Sequence, residues 1–106
     1  MMNESKIYSM LSLCQKAGKL CSGSFTCEKA IKSGKALLTI VAEDSAENTK
    51  KDFNSMCKYF KVRIYTFGEK EKLGNYIGKE DRTILCVTDT NFAKKIKELL
   101  GQLEGE

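Results

Sequence analysis

The sequence predicts an α/β protein built as a three-layer α/β/α sandwich, and three observations carry that expectation. Short β-branched apolar runs alternate with amphipathic stretches of helical spacing along the whole chain. One run, Ala36–Ala42 (ALLTIVA), is a continuous, mostly apolar and partly β-branched stretch, which suits a strand covered on both faces. Glycines punctuate the segments, while proline, internal repeats and linker-like stretches are missing, which suits short connections within one domain spanning residues 1–106. Alternation of this kind puts helices on both sides of a sheet, because an amphipathic helix buries its stripe only against a strand surface.

The elements follow in order. Ile7, Met10, Leu11, Cys14 and Ala17 recur at helical spacing, with Asn3 as the expected cap and Gly18 as the stop. A short strand, Lys19–Ser22, runs into Gly23, and Ser24 is expected to cap a second helix with Cys27, Ala30 and Ile31 inside and Gly34 at its end. Ala36–Ala42 is the central strand. Asp44 with Glu47, and Thr49 with Asp52, have capping-box spacing before a third helix whose inner face is Phe53, Met56, Cys57 and Phe60. Val62–Phe67 is a strand, and a short helix carrying Leu73, Tyr76 and Ile77 stops at Gly78. After a polar loop to Arg82 comes a fourth strand, Thr83–Thr88. Asp89 caps a last helix with Phe92, Ala93, Ile96, Leu99 and Leu100 inside, and the tail 101–106 is expected to fray.

Composition narrows the function classes. The longest apolar run has seven residues, against roughly 20 needed to span a bilayer, and the N-terminus lacks a signal-peptide layout, so a cytoplasmic protein is expected. Five cysteines (Cys14, Cys21, Cys27, Cys57, Cys86) are scattered without a C-x-x-C, and no histidine accompanies them. Reduced, buried thiols are expected, with no metal and no cofactor. The net charge of +4 resides in residues 1–42, where six lysines face Glu4 and Glu28, whereas basic and acidic groups cancel from residue 43 onward. A localised basic field of this kind attracts polyanions.

No catalytic constellation is present: no histidine, no G-x-S-x-G elbow and no glycine-rich phosphate loop. Enzymatic activity is not expected. The acidic pairs Glu43–Asp44 and Glu80–Asp81 are explained by helix capping and loop solvation. Two segments point instead to an anionic ligand. At Ser22–Lys32 a glycine turn opens directly into a helix start, whose unpaired N–H groups at Ser24, Phe25 and Thr26 and positive dipole end lie beside Lys29 and Lys32. At Leu73–Arg82, Gly74 and Gly78 shape a turn-rich element carrying Lys79 and Arg82, a rim for the same site.

Taken in order, these blocks resemble the kink-turn RNA-binding ribosomal protein family of the L-seven-Ae type, most closely its small bacterial YlxQ-like branch. The matching blocks are QKAGKLCSG (Gln15–Gly23), KAIKSGKALLTIVAEDSAENTKK (Lys29–Lys51), Cys57–Tyr59, LGNYIGKE-R (Leu73–Arg82) and VTDTNFAKKI (Val87–Ile96). The resemblance implies an α/β/α sandwich with a four-stranded mixed sheet and no enzymatic activity. It also implies RNA held at one edge. There the N-terminal turn of the second helix enters a major groove at sheared G·A pairs, and the loop before the fourth strand covers an extruded base. By motif position Gly23 matches the glycine of the RNA-binding turn, and Lys29 the lysine that reaches a guanine edge or phosphate. The family's asparagine–glutamate pair, two and three residues after that glycine, is here Phe25 and Thr26. An aromatic at position 25 either packs on the protein or stacks on an unpaired base.

The function expected from these readings is recognition of structured RNA, ribosomal or a bent internal loop. The residues expected to carry it are Ser22, Gly23, Ser24, Phe25, Thr26, Lys29, Lys32, Gly78, Lys79 and Arg82. The alternative is a ribosome-associated adaptor or protein-interaction module that has lost kink-turn selectivity with the altered pair at 25 and 26.

Overall fold

Five helices and four strands alternate in the computed structural model, which describes residues 2–105. They are α1 (Met2–Lys16), β1 (Leu20–Ser22), α2 (Ser24–Lys32), β2 (Leu38–Val41), α3 (Glu47–Phe60), β3 (Arg63–Thr66), α4 (Lys70–Tyr76), β4 (Ile84–Val87) and α5 (Thr90–Leu103). The sheet order is β1-β4-β2-β3, so the two wholly buried strands, β2 and β4, lie at its centre. β4 runs antiparallel to β1 and β2, while β3 is parallel to β2, which makes the sheet mixed. The expected three-layer sandwich is what forms.

Period-two alternation along the strands divides the core. Leu38, Ile40, Leu85 and Val87 face one side, where Ile7, Leu11 and Cys14 of α1, Leu73 of α4 and Ala93, Ile96 and Leu100 of α5 close over them. Val41, Ile84 and Cys86 face the other, beneath Cys27, Ala30 and Ile31 of α2 and Phe53 and Cys57 of α3. Each fully buried Ile or Leu contributes about 1.5–3 kcal/mol relative to exposure, so this division of side chains fixes which helix lies on which face. Tyr8 stacks on Tyr76 with ring centroids 4.8 Å apart and meets Phe67 at 5.0 Å, tying α1 to α4. Thr39, the polar residue of β2, is satisfied by Cys86 Sγ at 3.4 Å. Among the described residues no helix is long and apolar enough to cross a membrane.

Helix ends depart from the sequence expectation in instructive ways. Asn3 lies inside α1, and Ser24 is the first residue of α2 rather than its cap, a position taken by Gly23. Neither capping box forms: α3 starts after Ala46 with no side-chain cap, and Thr49 is already helical. Asp44 instead accepts the backbone N–H of Lys70 at 2.9 Å, so it caps α4, 26 residues away in sequence. Asp89 does cap α5, accepting from the Phe92 N–H at 2.9 Å. The expected fraying from residue 101 gives way to helix through Leu103 with Gly101 buried, and Glu106 lies outside the described residues.

Replacing Asp44 by Ala is expected to lower unfolding free energy by about 1 kcal/mol, as loss of a helix cap does, whereas Thr49→Ala changes it by less than about half that. Urea denaturation followed by circular dichroism checks the pair; equal losses contradict the assignment of the cap.

Candidate nucleic-acid interface

The site is assembled by the pairing of β1 with β4. Their antiparallel register sets Ser22 opposite Leu85 and Cys21 opposite Cys86. Because the strands run in opposite directions, the turn leaving β1 and the loop entering β4 emerge at the same end. The Gly23 N–H donates to Ile84 O at 3.0 Å, extending the ladder one residue into the turn. Arg82 Nε donates to Ser22 Oγ at 3.2 Å, and Arg82 Nη1 to Asp81 O at 3.0 Å, which fixes the guanidinium against the turn. Two segments 60 residues apart thus share one edge.

Gly23 adopts φ 94° and ψ 150°, a conformation that is essentially glycine's alone. A Cβ added there meets nothing within 4 Å, so backbone strain and not crowding within the protein demands the glycine. Its carbonyl accepts the Cys27 N–H at 3.0 Å, the first bond of α2. The N–H groups of Ser24, Phe25 and Thr26 precede that bond, carry no side-chain cap, belong to exposed residues and have no acidic residue in the same turn. A helix start of this kind offers donors and a partial positive charge to an anion.

Phe25 is 77% exposed, so its ring does not pack into the protein. Lys29, one turn on, holds Nζ 5.8 Å from the Phe25 ring centroid. Lys32 differs from the expectation of a free cation, since its Nζ pairs with Glu28 Oε2 at 2.6 Å. That pair is exposed, and exposed pairs contribute only about 0–1 kcal/mol, so a phosphate can exchange for the carboxylate. An open groove of about 770 Å³ follows this side of α2, lined by Cys21, Phe25, Lys29, Lys32, Lys35 and Thr88 among others.

The second rim is only partly as expected. The structure brings Arg82 to the turn, but Lys79 lies with Arg82 in a separate concavity among Glu71, Glu80 and Asp81, so its surroundings are mixed in charge. Gly78 has φ 74° at the end of α4. Gly74 is what lets this loop fold back. The Lys79 N–H donates to Gly74 O at 2.9 Å, and a Cβ at position 74 overlaps the Glu80 carbonyl.

Sequence spacing also concealed a cluster. The sulfurs of Cys21, Cys27 and Cys86 lie within 4.8 Å of one another directly beneath the turn. Hydrogen bonding from Cys27 and Cys86 pulls the Cys21 thiol below the usual thiol range, and hydrogen bonding with Cys21 and Cys86 together with burial pushes Cys27 up. The Cys86 thiol is likewise raised, chiefly by its hydrogen bond with Cys21. The signal that places them together is the β1–β4 register, which residue spacing does not contain. All five cysteines are free, and Cys14, apart from this cluster, is pushed up to about 12 by burial.

With this geometry in place, the profile of the ribosomal protein L7Ae/L30e/S12e/Gadd45 family matches residues 5–98. The chain belongs to that family. It is 37% identical to the RNA-binding protein YlxQ of Bacillus subtilis (strain 168) over 93 residues, 88% of this chain and 93% of that one. To the RNA-binding protein YlxQ of Enterococcus faecium it is 34% identical over 98 residues, covering 92% and 94% of the two chains. A solved structure from Bacillus halodurans C superposes with a TM-score of 0.87 at 30% identity, over 91% of this chain and 97% of that one. The L7Ae-family architecture therefore extends over nearly the whole chain.

Gly23→Ala is expected to destabilise the protein by about 1–3 kcal/mol through backbone strain alone. Thermal or urea unfolding measures it, and a neutral result contradicts the strained turn.

Proposed function

We propose that this L7Ae-family chain is an RNA-binding protein that recognises structured RNA through the edge formed by Ser22–Lys32 and Gly78–Arg82. The observation that carries the reading is the uncapped, acid-free first turn of α2, presenting Ser24, Phe25 and Thr26 beside an exposed Phe25 ring and Lys29. Family membership and the RNA-binding relatives support it. The backbone N–H groups meet phosphate, Lys29 and Lys32 neutralise it, and Arg82, held by Ser22, closes the far side.

Phe25 and Thr26 stand where the family pattern has asparagine and glutamate, so direct contacts to base edges give way to stacking of the exposed ring on an unpaired base. The preferred target in this reading is a bent internal loop such as a kink-turn, in ribosomal or another folded RNA, met in the cytoplasm. Gly78 and Lys79 take a lesser part than Arg82, which is the one bonded to Ser22 of the turn. Family membership also supports a binding role over a catalytic one.

Filter binding to a kink-turn RNA and to a fully paired duplex of equal length tests the proposal. Phe25→Ala is expected to weaken binding to the bent RNA by about 1–3 kcal/mol, the range for one stacked base. Lys29→Ala is expected to weaken binding and to reduce the slope of log affinity against log salt by about one. Affinity that ignores salt, or unchanged affinity in both variants, contradicts the RNA interface and favours the adaptor role.

A further inference from the structure

We propose that Cys21, Cys27 and Cys86 form a three-sulfur binding site for a soft monovalent metal ion, Cu(I), beneath the turn. The three sulfurs already lie within 4.8 Å of one another. An ion bound in a plane by three sulfurs at about 2.3 Å sets those sulfurs roughly 4 Å apart, so side-chain adjustments of under about 1 Å close the shell. Two of the ligands sit opposite each other on paired strands, Cys21 on β1 and Cys86 on β4. The third, Cys27, is held from α2 by contacts of its Sγ with the carbonyl oxygens of Cys21 and Ile84, both at 3.6 Å.

The donor set selects the ion. It is sulfur alone, in a chain without histidine. Thiolates favour Cu(I) and Zn(II), but a structural Zn(II) site closes with four ligands, and the cluster offers three sulfurs, with the neutral hydroxyl of Thr39 in contact with Cys86 Sγ at 3.4 Å. Three sulfurs satisfy Cu(I). An entry path exists as well: Cys21 is half-buried and lines the open groove beside α2, while Cys27 and Cys86 lie fully buried below it.

Loading balances without any redox step. Each of the three thiols gives up its proton to solvent as its sulfur bonds the ion, so three S–H bonds are exchanged for three S–Cu bonds. The resulting complex is negatively charged, and Lys29 and Lys35 line the same groove as Cys21. The site does not depend on what the surface above it binds.

Anaerobic titration of the reduced full-length protein with Cu(I), buffered by a chromophoric Cu(I) chelator, tests the assignment. One tightly held equivalent is expected, with a three-sulfur shell in X-ray absorption. Cys21→Ser is expected to lose more affinity than the roughly 10–100-fold that removal of an outer-shell partner costs. Cys57→Ala, a buried cysteine outside the cluster, is expected to keep wild-type affinity. Failure of the wild-type protein to hold Cu(I) against the chelator overturns the proposal, as does a two-sulfur shell, undiminished affinity in a folded Cys21→Ser, or an equal loss in Cys57→Ala. Should Cys21→Ser fail to fold by circular dichroism, the wild-type coordination number decides alone.

Discussion

The three-residue antiparallel pairing of β1 with β4 is the constraint on which the rest of the candidate interface depends. It sets Ser22 against Leu85 and Cys21 against Cys86, and it continues into the turn through the Gly23 N–H to Ile84 O bond. From that ladder follow the direction of α2, the approach of Arg82 to Ser22 and the gathering of three thiols. A one-residue slip in register turns Cys21 to the opposite face and removes Ser22 from Arg82. An edge strand this short holds its register because Leu20 and Cys21 are anchored against opposite halves of the core.

The helix termini fall into two kinds. Where α4 and α5 begin, Asp44 and Asp89 accept backbone N–H groups and offset the positive dipole end. The start of α3 lacks a side-chain cap but carries Glu47 in its first turn. α2 has neither a side-chain cap nor an acid in its first turn, and its start is exposed. A cap is worth about 1 kcal/mol, so leaving these donors open sacrifices local stability. The strained φ of Gly23 adds to that cost at the same corner. Strain and unsatisfied donors gathered at one exposed point are what a preorganised anion site requires.

Charge placement reinforces this geometry without determining it. The excess of lysine in residues 1–42 produces a basic N-terminal region, yet the structure pairs Lys32 with Glu28 and sets Lys79 in a concavity shared with Glu71, Glu80 and Asp81. Lys29 remains beside the exposed ring of Phe25, where an aromatic face and a cation together suit the two parts of a nucleotide, its base and its phosphate.

Much of the fold was legible in the chain itself because hydrophobic periodicity is a local property. Helical spacing marked the helices, short runs rich in apolar and β-branched residues marked strands, and the run at 36–42 marked a central one. The glycine turn at 23 and the cationic helix behind it were readable for the same reason. What periodicity does not encode is which distant groups meet. Asp44 carried the spacing of a cap for α3 and proved to cap α4, Lys32 was matched to a phosphate and met Glu28, and three cysteines without a ligand motif converged. The residues thus determined the elements and their buried faces. Only tertiary structure decided the partners, because strand order and register bring together groups far apart in sequence, and no local pattern records that distance.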